Sequence, residues 1–385
     1  MIRVLHVVEN FNGQAVESWL TRLVAFEGFD SNKLRFDFFL IGTGQGWDGG
    51  TVVDKGFEVH LGNPGGASIP QMAKALRRIT NAGAYDIVHI HQDVMGGIFA
   101  AALLGAHTKI VTQVHNCWQR LPVGGHLKEK ILTVVAKALT VKLSDAIVGV
   151  SKPALAKMLG TSIRRSRIDR VIYCSGKALG HPHCNVNQAN ARSLLRKDYG
   201  FPDASKILLF LGRLDSYKNP AFTIQVLQEL IKKGDKDCCL IIAGTGGLQD
   251  ELSDAIKDQK LESRVRIVGW IDDPANLLLA ADLLLMPSQE WCGEGLGLAA
   301  VEAQGYGMPV LCSMSIPDEA AIIPSLFRRV SLKRGTSEWA TAATQLLRVG
   351  RVDIAVARAI HADSFFTDSA SLKALCTLYR EVLGN

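Results

Sequence analysis

The sequence lacks the long apolar runs that membrane-spanning helices need. No stretch of its 385 residues reaches the roughly 18 uncharged apolar residues of such a helix. The first apolar run, Ile2–Val8, is too short for a signal peptide and is followed directly by Glu9. We therefore expect a cytoplasmic protein without membrane spans.

Paired cysteine motifs are also missing. The eight cysteines include no C-x-x-C pair and lie mostly in apolar runs, which favours reduced, buried thiols over a disulfide framework. One group could be mistaken for a zinc site: Cys174, His181, His183 and Cys184. Its spacing fits no compact zinc site, so we interpret it as part of a linker.

The surplus of positive charge is small but concentrated. The 43 basic and 37 acidic residues give a net charge of +6, whereas the segment Trp118–Arg170 alone has 11 basic and 3 acidic residues. Within it, Leu127–Arg170 combines lysines and arginines with apolar residues, which is typical of a surface that contacts anionic lipid headgroups. A solvated helix face is the alternative. Aromatic residues are not interleaved with the basic ones, so we expect no nucleic-acid binding.

Short apolar runs alternate with amphipathic stretches along the chain, and these runs are rich in β-branched residues. Those in the first half are Ile2–Val8, Phe36–Ile41, Asp86–Ile90, Lys109–Val114 and Ala146–Val150. Those in the second half are Ile207–Leu211, Cys239–Ala243, Val265–Val268, Asp282–Met286 and Val310–Ser313. Alternating strands and helices predict parallel sheets with helices on both faces.

The alternation lapses between Tyr173 and Asn190, where Gly, Pro, Asn and Ser are frequent, as in an inter-domain connection. We therefore predict an α/β protein with two Rossmann-like parallel-sheet domains that face a central cleft. The predicted parts are a first domain over 1–173, a linker over 174–190, a second domain over 191–365, and a last helix over 366–385 that crosses back to the first domain. Ligands are expected beyond the carboxyl ends of the strands.

A group of cations follows the first strand of the second domain. The strand ends at Gly212, Arg213 and Lys218 lie in the loop, and Asn219-Pro220 marks a helix start. Cations beside a helix N-terminus make an anion site, because the free N–H groups and the helix dipole add to the side-chain charge. A solvated pair of cations on a surface loop is the alternative.

A pair of carboxylates lies further along the second domain. Glu294 and Glu302 are eight residues apart, close to a whole number of helical turns, so we expect both on one face of one helix. Gly295 and Gly297 would let the backbone approach a ligand closely. Such a pair can accept hydrogen bonds from sugar hydroxyls, although Glu302 paired with a basic neighbour is the alternative.

These motifs together resemble the retaining GT-B glycosyltransferases of family 4. The resemblance spans the chain and is sharpest from Gly212-Arg213 and Lys218, through Glu294-x7-Glu302, to Gly307-Met-Pro309-Val310. The loop at Gly244 and the turn at Trp270 are similar in position and type. The resemblance implies a GT-B fold with an acceptor-binding first domain and a nucleotide-sugar-binding second domain.

The resemblance also implies roles for individual residues. Arg213 and Lys218 would bind and stabilise the departing diphosphate, Glu302 would bind the ribose hydroxyls, and Glu294 would contact the donor sugar. Backbone N–H groups would assist at Gly295, Leu296 and Gly297. The cations would take the place of a divalent metal, so no metal or other cofactor is expected.

In the first half, the resemblance places a glycine-rich loop after the first strand. Here Gly13 is followed by Gln14, where the family more often has a second glycine. His115 matches the family's histidine near the donor sugar, and His91 at another strand end is a candidate on the acceptor side. A structural histidine at a strand end is the alternative for both.

The sequence therefore predicts a metal-independent retaining glycosyltransferase of polysaccharide biosynthesis. It would move a sugar from a nucleotide-sugar, with UDP or GDP expected, to a hydroxyl of a glycan, a lipid-linked glycan or a small molecule. It would lie in the cytoplasm or at the inner face of the membrane. Two alternatives remain open: a glycosyltransferase-like protein that binds sugar nucleotide with little turnover, and a GT-B sugar-nucleotide epimerase.

Overall fold

Two parallel β-sheets, each covered by helices, form the described part of the chain. The computed structural model describes residues 1–10, 15–42, 50–63, 66–117, 126–160, 168–176, 188–291 and 293–384. The chain divides into two compact units, the first made of Met1–Ser175 with Phe365–Asn385 and the second of Gly176–Ser364. The predicted α/β class with two Rossmann-like domains is confirmed.

The first unit contains a sheet whose described strands run in the order β3-β2-β1-β4-β5-β6-β7. The strands are β1 Ile2–Val8, β2 Leu34–Leu40, β3 Val59–Leu61, β4 Ile87–Ile90, β5 Lys109–Val114, β6 Ala146–Gly149 and β7 Arg170–Val171. Its first helices are α1 Ala15–Ala25, α2 Gly50–Asp54, α3 Ile69–Gly83, α4 Gly96–Ala102, α5 His126–Leu143 and α6 Lys152–Leu159. Neighbouring strands pair in parallel, so helical crossovers must connect them.

The second unit contains a sheet whose described strands run in the order β10-β9-β8-β11-β12-β13. The strands are β8 Lys206–Leu211, β9 Cys238–Ala243, β10 Val265–Gly269, β11 Leu283–Met286, β12 Val310–Cys312 and β13 Phe327–Arg329. The helices are α7 Gln188–Asp198, α8 Pro220–Lys232, α9 Gln249–Asp258, α10 Ala275–Ala280, α11 Leu298–Gly305, α12 Gly335–Val349 and α13 Ile354–Ala362. The final helix, α14 Asp368–Leu383, belongs to the first unit.

Burial explains why the predicted strands form. In the second unit, Leu208, Leu240 and Leu283 are fully buried and belong to a core that includes Trp339 of α12. Strands that are buried on both faces read as continuous apolar runs, and the sequence shows such runs. The ten predicted strands therefore lie within one residue of their predicted bounds, except that β2 begins two residues earlier.

Three short strands were not predicted, and each lies at the edge of a sheet. They are β3, β7 and β13, of two or three residues, and most of their side chains are only partly buried. An edge strand of this length pairs on one side and needs no apolar run, so it leaves no clear pattern in the sequence.

No helix in the described residues is long and apolar enough to cross a bilayer.

A close approach of two helices in the first unit depends on one glycine. A Cβ at Gly97 of α4 would lie 2.0 Å from the carbonyl oxygen of Ala136 and 2.7 Å from the backbone nitrogen of Thr140, both in α5. We expect Gly97→Ala to lower the stability of the fold by about 1–3 kcal/mol, because the steric clash outweighs the better helix propensity of alanine.

The melting temperature of the variant checks this expectation. Gly247→Ala is the matched control, since a Cβ at Gly247 meets nothing within 4 Å. An unchanged melting temperature for Gly97→Ala would show that the two helices can separate without loss.

Candidate functional site

The topology of the second sheet places one crevice between two loops. From β8 the chain passes to β9 and β10 on one side of the sheet and then returns to β11 on the other side of β8. The loops that follow β8 and β11 therefore diverge at the carboxyl edge, and ligands bind at such a switch point in open α/β sheets. The predicted residues Arg213 and Lys218 lie in the first loop and Glu294 in the second.

An ion pair between the partly buried Lys218 and the buried Glu294 joins these two loops. The Lys218 ammonium donates to Oε1 of Glu294 at 2.5 Å, and the Ser288 hydroxyl donates to the same oxygen at 2.6 Å. The Tyr217 hydroxyl lies 3.5 Å from Oε2, and the Tyr217 ring lies 4.9 Å from the ammonium nitrogen. The structure thus brings together the predicted phosphate-binding lysine and the predicted sugar-binding carboxylate.

The ion pair keeps both partners charged despite their burial. Burial by itself would lower the pKa of Lys218, but the adjacent Glu294 carboxylate raises that pKa above its ordinary value. Burial would likewise raise the pKa of Glu294, but Lys218 and the Ser288 hydroxyl lower it. Burial raises the pKa of Tyr217, so its hydroxyl stays a donor.

Backbone contacts fix the position of each partner. The Lys218 N–H donates to Oδ1 of Asp215 at 2.9 Å, and the Asn219 side chain donates to the Pro287 carbonyl oxygen at 3.2 Å. The Glu294 N–H lies 3.1 Å from both the carbonyl and the hydroxyl oxygen of Ser315. The two loops are therefore held by the protein itself.

Arg213 is placed differently from Lys218. Its side chain is 69% exposed, and its guanidinium lies 3.2 Å from the Asp215 carboxylate and 5.5 Å from the centre of the Tyr217 ring. A contact of this exposed kind contributes little to stability. Arg213 is therefore a cation at the surface of the same loop, available for a ligand.

A glycine allows the loops after β8 and β9 to touch. Gly244 has φ +141°, and a Cβ there would lie 1.8 Å from the carbonyl oxygen of Gly212. The Gly212 N–H donates to the Ala243 carbonyl oxygen at 3.0 Å. Trp270 follows β10; it is exposed, and its indole N–H donates to Asp272 at 2.7 Å. The predicted residues Gly212, Gly244 and Trp270 thus lie in loops after three successive strands.

The prediction that Glu294 and Glu302 share one helix is wrong. Helix α11 begins at Leu298, after Gly297 with φ +80°, so Glu294, Gly295 and the buried Leu296 precede it in an irregular segment. The left-handed conformation of Gly297 turns the chain there, which a count of residues per turn does not reveal. Glu302 is buried in α11, and a Cβ at Gly176 would lie 2.6 Å from its Cγ.

The first sheet has its own switch point between β1 and β4. The loop after β1 contains Gly13 and Gln14, which lie outside the described residues. His91 follows β4, and its Nδ1 lies 2.9 Å from Nε2 of His115, which follows β5. The His115 N–H donates to Oδ1 of Asp93 at 2.6 Å. Burial lowers the pKa of His115 to about 3 and raises that of Asp93 to about 6.

Two further histidines in this sheet were not predicted as site residues. His6 in β1 pairs in register with His89 in β4, so both lie on the sheet face that also carries His91. All three are buried. A possible signal in the sequence was the His89-x-His91 spacing, because strand alternation puts two such residues on one face.

A metal ion could be considered for these three histidines, since one nitrogen of each lies within 4.8 Å of the others. However, Nδ1 of His6 and Nε2 of His91 are hydrogen-bonded at 2.9 Å. Two nitrogens about 2.1 Å from a tetrahedral Zn²⁺ would lie about 3.4 Å apart. The observed geometry therefore fits a hydrogen bond between imidazoles better than a metal site.

Comparisons with known proteins agree with the two-sheet architecture. The description "Glycosyl transferases group 1" matches residues 191–348, and "Glycosyltransferase Family 4" matches residues 31–175. The putative glycosyltransferase EpsF of Bacillus subtilis (strain 168) is 26% identical over 356 residues, 91% of this chain and 88% of that protein.

A further relative and a solved structure have a nucleotide or a sugar in their names. A UDP-Gal:alpha-D-GlcNAc-diphosphoundecaprenol alpha-1,3-galactosyltransferase of Escherichia coli is 32% identical over 126 residues, 32% of each chain. The crystal structure of Anabaena Alr3699/HepE in complex with UDP superposes with a TM-score of 0.73 at 18% identity, over 98% of this chain and 99% of that one. At this identity the superposition shows a shared fold.

The ion pair should contribute to the stability of the second unit. Lys218→Met leaves the Glu294 carboxylate buried without its cation, so we expect a loss of about 3 kcal/mol in the free energy of unfolding of the second unit. The loss should be greatest from neutral pH up to the ordinary lysine pKa of 10.5, where the wild-type pair is fully charged and the variant carries a buried, unpaired carboxylate. It should shrink as the pH falls, because burial without the cation raises the pKa of Glu294 and the carboxylate of the variant then takes up a proton.

Denaturant titration at several pH values tests the prediction. Lys232→Met is the control, because Lys232 forms an exposed pair with Glu229 at 2.7 Å and should contribute less than about 1 kcal/mol. Equal losses of unfolding free energy for the two variants would mean that the pair of Lys218 and Glu294 stabilises the protein no more than an exposed pair does.

Proposed function

Because this chain belongs to the family 4 glycosyltransferases of the GT-B fold, we propose that it transfers a sugar from a UDP-sugar to a hydroxyl group of a lipid-linked glycan, with retention of anomeric configuration. The buried pair of Lys218 and Glu294 at the switch point of the second sheet is the observation that supports this best. UDP is favoured over other nucleotides by the names of the galactosyltransferase and HepE, and a lipid-linked acceptor by the former.

The proposed role of the cations is to stabilise the departing nucleotide. Negative charge develops on the diphosphate as its bond to the sugar breaks. Lys218 is charged throughout the neutral range and held in place by Glu294, and Arg213 adds a second cation from the same loop. Charge stabilisation by groups already in position is the largest contribution in many enzymes. The same cations supply the charge that a divalent metal would otherwise supply.

The carboxylates and the segment between them are proposed to bind the sugar and the ribose. Glu294 would accept a hydrogen bond from a hydroxyl of the donor sugar, and Glu302 from the ribose. The N–H groups of Gly295, Leu296 and Gly297 precede α11, whose N-terminal dipole favours an anion. Position and charge together would orient the donor for attack.

Retention is proposed to proceed without a covalent enzyme intermediate. The acceptor oxygen forms a bond to C1 of the sugar on the face from which the nucleotide leaves. The bond between C1 and the diphosphate oxygen breaks, and that oxygen takes the proton of the acceptor hydroxyl. His115, at the carboxyl edge of the first sheet, would contact a sugar hydroxyl. The protein contributes orientation and charge stabilisation.

Helix α5 supports a membrane-bound acceptor. Five of its apolar side chains are exposed, with Leu127 at 72% and Val134 at 67% exposure, and the others are Ile131, Leu132 and Val135. Leu127, Ile131, Val134 and Val135 lie on the side of the helix away from the buried Ala136 and Thr140, whereas Leu132 precedes Ala136 by about one turn and lies on its side. Lys128, Lys130 and Lys142 lie beside the outward apolar residues. An apolar centre with basic flanks fits an anionic bilayer surface, so we propose that α5 contacts anionic lipid.

Nucleotide release tests the proposed transfer. With a polyprenyl-diphosphate-linked sugar as acceptor, we expect UDP release from one or more UDP-sugars in the presence of a metal chelator. Arg213→Gln should lower kcat/KM by about 10²–10³, because it removes charge stabilisation in the transition state, while the melting temperature stays unchanged. Arg348→Gln, at an exposed arginine near the end of α12, is the control.

Each part of the proposal has its own contrary outcome. Full activity of Arg213→Gln would refute its role on the diphosphate. Binding of sugar nucleotides without release from any UDP-, GDP- or ADP-sugar would refute transfer and indicate a binding protein. Inversion of the anomeric configuration, read from the one-bond coupling at C1 of the product, would refute retention.

Co-sedimentation with vesicles tests the contact of α5 with lipid. We expect binding to vesicles of phosphatidylcholine and phosphatidylglycerol, and weaker binding at high salt or without the anionic lipid. Ile131→Glu with Val134→Glu should weaken binding tenfold or more, roughly the value of two buried aliphatic side chains. Val349→Glu, at an exposed valine of the second unit, is the control. Equal binding of all three proteins would exclude α5 as the lipid contact.

A further inference from the structure

One face of the first sheet carries buried polar side chains where an apolar core is expected. His6 and His89 are fully buried and His91 nearly so, on the face covered in part by Tyr379 of α14 and Trp19 of α1. The opposite face is an apolar core that includes Leu5, Val88 and Ile90. Buried imidazoles lose their hydration, so a hydrogen-bonding arrangement must compensate for it.

His6 and His91 form one hydrogen-bonded chain of side chains with His115. Nδ1 of His6 lies 2.9 Å from Nε2 of His91, and Nδ1 of His91 lies 2.9 Å from Nε2 of His115. Burial and the neighbouring histidines lower the pKa of His6 and of His91, and burial lowers that of His115. Each ring is therefore neutral, with one N–H and one lone pair, and the two hydrogen bonds must point the same way along the chain.

The buried end of the chain selects the direction. Nε2 of His6 has no hydrogen-bond partner among the described residues. If the bonds pointed from His115 inward, this atom would be a buried N–H without an acceptor. If the bonds point outward, this atom is instead an acceptor without a donor. A buried N–H without an acceptor is rarer in proteins than a buried acceptor without a donor, so the outward direction is favoured. The outward direction puts the protons on Nδ1 of His6 and Nδ1 of His91.

We propose that this chain of hydrogen bonds holds His115 as the tautomer with its proton on Nδ1, with His91 as the positioning residue. His115 then presents an N–H donor at the end of β5, suited to an oxygen of a ligand hydroxyl. Its main chain is fixed as well, since its own N–H and the side chain of Asn116 donate to the two oxygens of Asp93 at 2.6 and 3.0 Å. That the ligand is a sugar rests on the proposed function, whereas the tautomer does not.

Ring nitrogen NMR on the full chain tests the tautomer directly. Two-bond ¹H–¹⁵N correlations of protein labelled in the histidine rings should show Nδ1 protonated and Nε2 unprotonated in His6, His91 and His115. Protons on Nε2 of these rings would overturn the proposal. This measurement needs no donor or acceptor, so it is independent of whether the protein transfers a sugar.

Substitutions test the role of His91. His91→Phe removes the donor to Nε2 of His115, so His115 should become a mixture of tautomers, and kcat should fall about tenfold for the loss of one oriented hydrogen bond. His91→Gln keeps an N–H donor and should restore the Nδ1 signature. Tyr379→Phe is the control, because the Tyr379 hydroxyl lies 2.7 Å from Nδ1 of His89, on the same face of the sheet but outside the hydrogen-bonded chain of histidines.

Two results would contradict the role of His91. One is an unchanged single tautomer of His115 in His91→Phe, which would show that other contacts fix the ring. The other is the same change in the tautomer signature of His115 for Tyr379→Phe as for His91→Phe, which would indicate looser packing on this face of the sheet. A folded His91→Gln with the wild-type signature separates the positioning role from a loss of fold.

Discussion

Parallel pairing of strands is the constraint on which both units depend. Parallel neighbours cannot be joined by a tight turn, so helices cross over and cover the faces of each sheet. Groups that meet a ligand are then concentrated in the loops at the carboxyl edge, and they are best placed where successive connections diverge. In the second unit this occurs between β8 and β11, and in the first between β1 and β4. The same topology thus creates a candidate surface in each unit.

The two units compensate in different ways for the hydration that their polar groups lose on burial. In the second unit, opposite charges compensate each other, because the buried Glu294 and the partly buried Lys218 form a hydrogen-bonded ion pair. In the first, burial shifts the histidines to their neutral form, and neutral rings bond to one another. The first solution keeps a lysine protonated and in a fixed position at neutral pH, whereas the second keeps donors and acceptors without charge. Each suits a different part of a ligand, a phosphate in one case and a hydroxyl in the other.

The sequence predicted what depends on local pattern. Central strands such as β8 are continuous apolar runs, and their loops were located with them. The prediction that Glu294 and Glu302 share one helix failed because it depends on the conformation of a single residue. Gly297 is left-handed and separates Glu294 from the helix of Glu302, although their spacing suits one helix. His6 and His89 were missed because their proximity follows from strand order and register, which a single sequence does not state. The pairing of Lys218 with Glu294 likewise required the order of β8 and β11.

The ion pair also determines how charge is divided within the candidate donor site. Glu294 orients Lys218 and keeps it protonated, so the ordering of that side chain occurs on folding and not on binding. The same carboxylate cancels most of the lysine charge, which leaves little net attraction for a diphosphate. Within the proposed function the remaining charge must come from Arg213, whose exposed guanidinium is held by weaker contacts with Asp215 and Tyr217. Lys218 then defines the position of the phosphate, and Arg213 supplies most of the attraction.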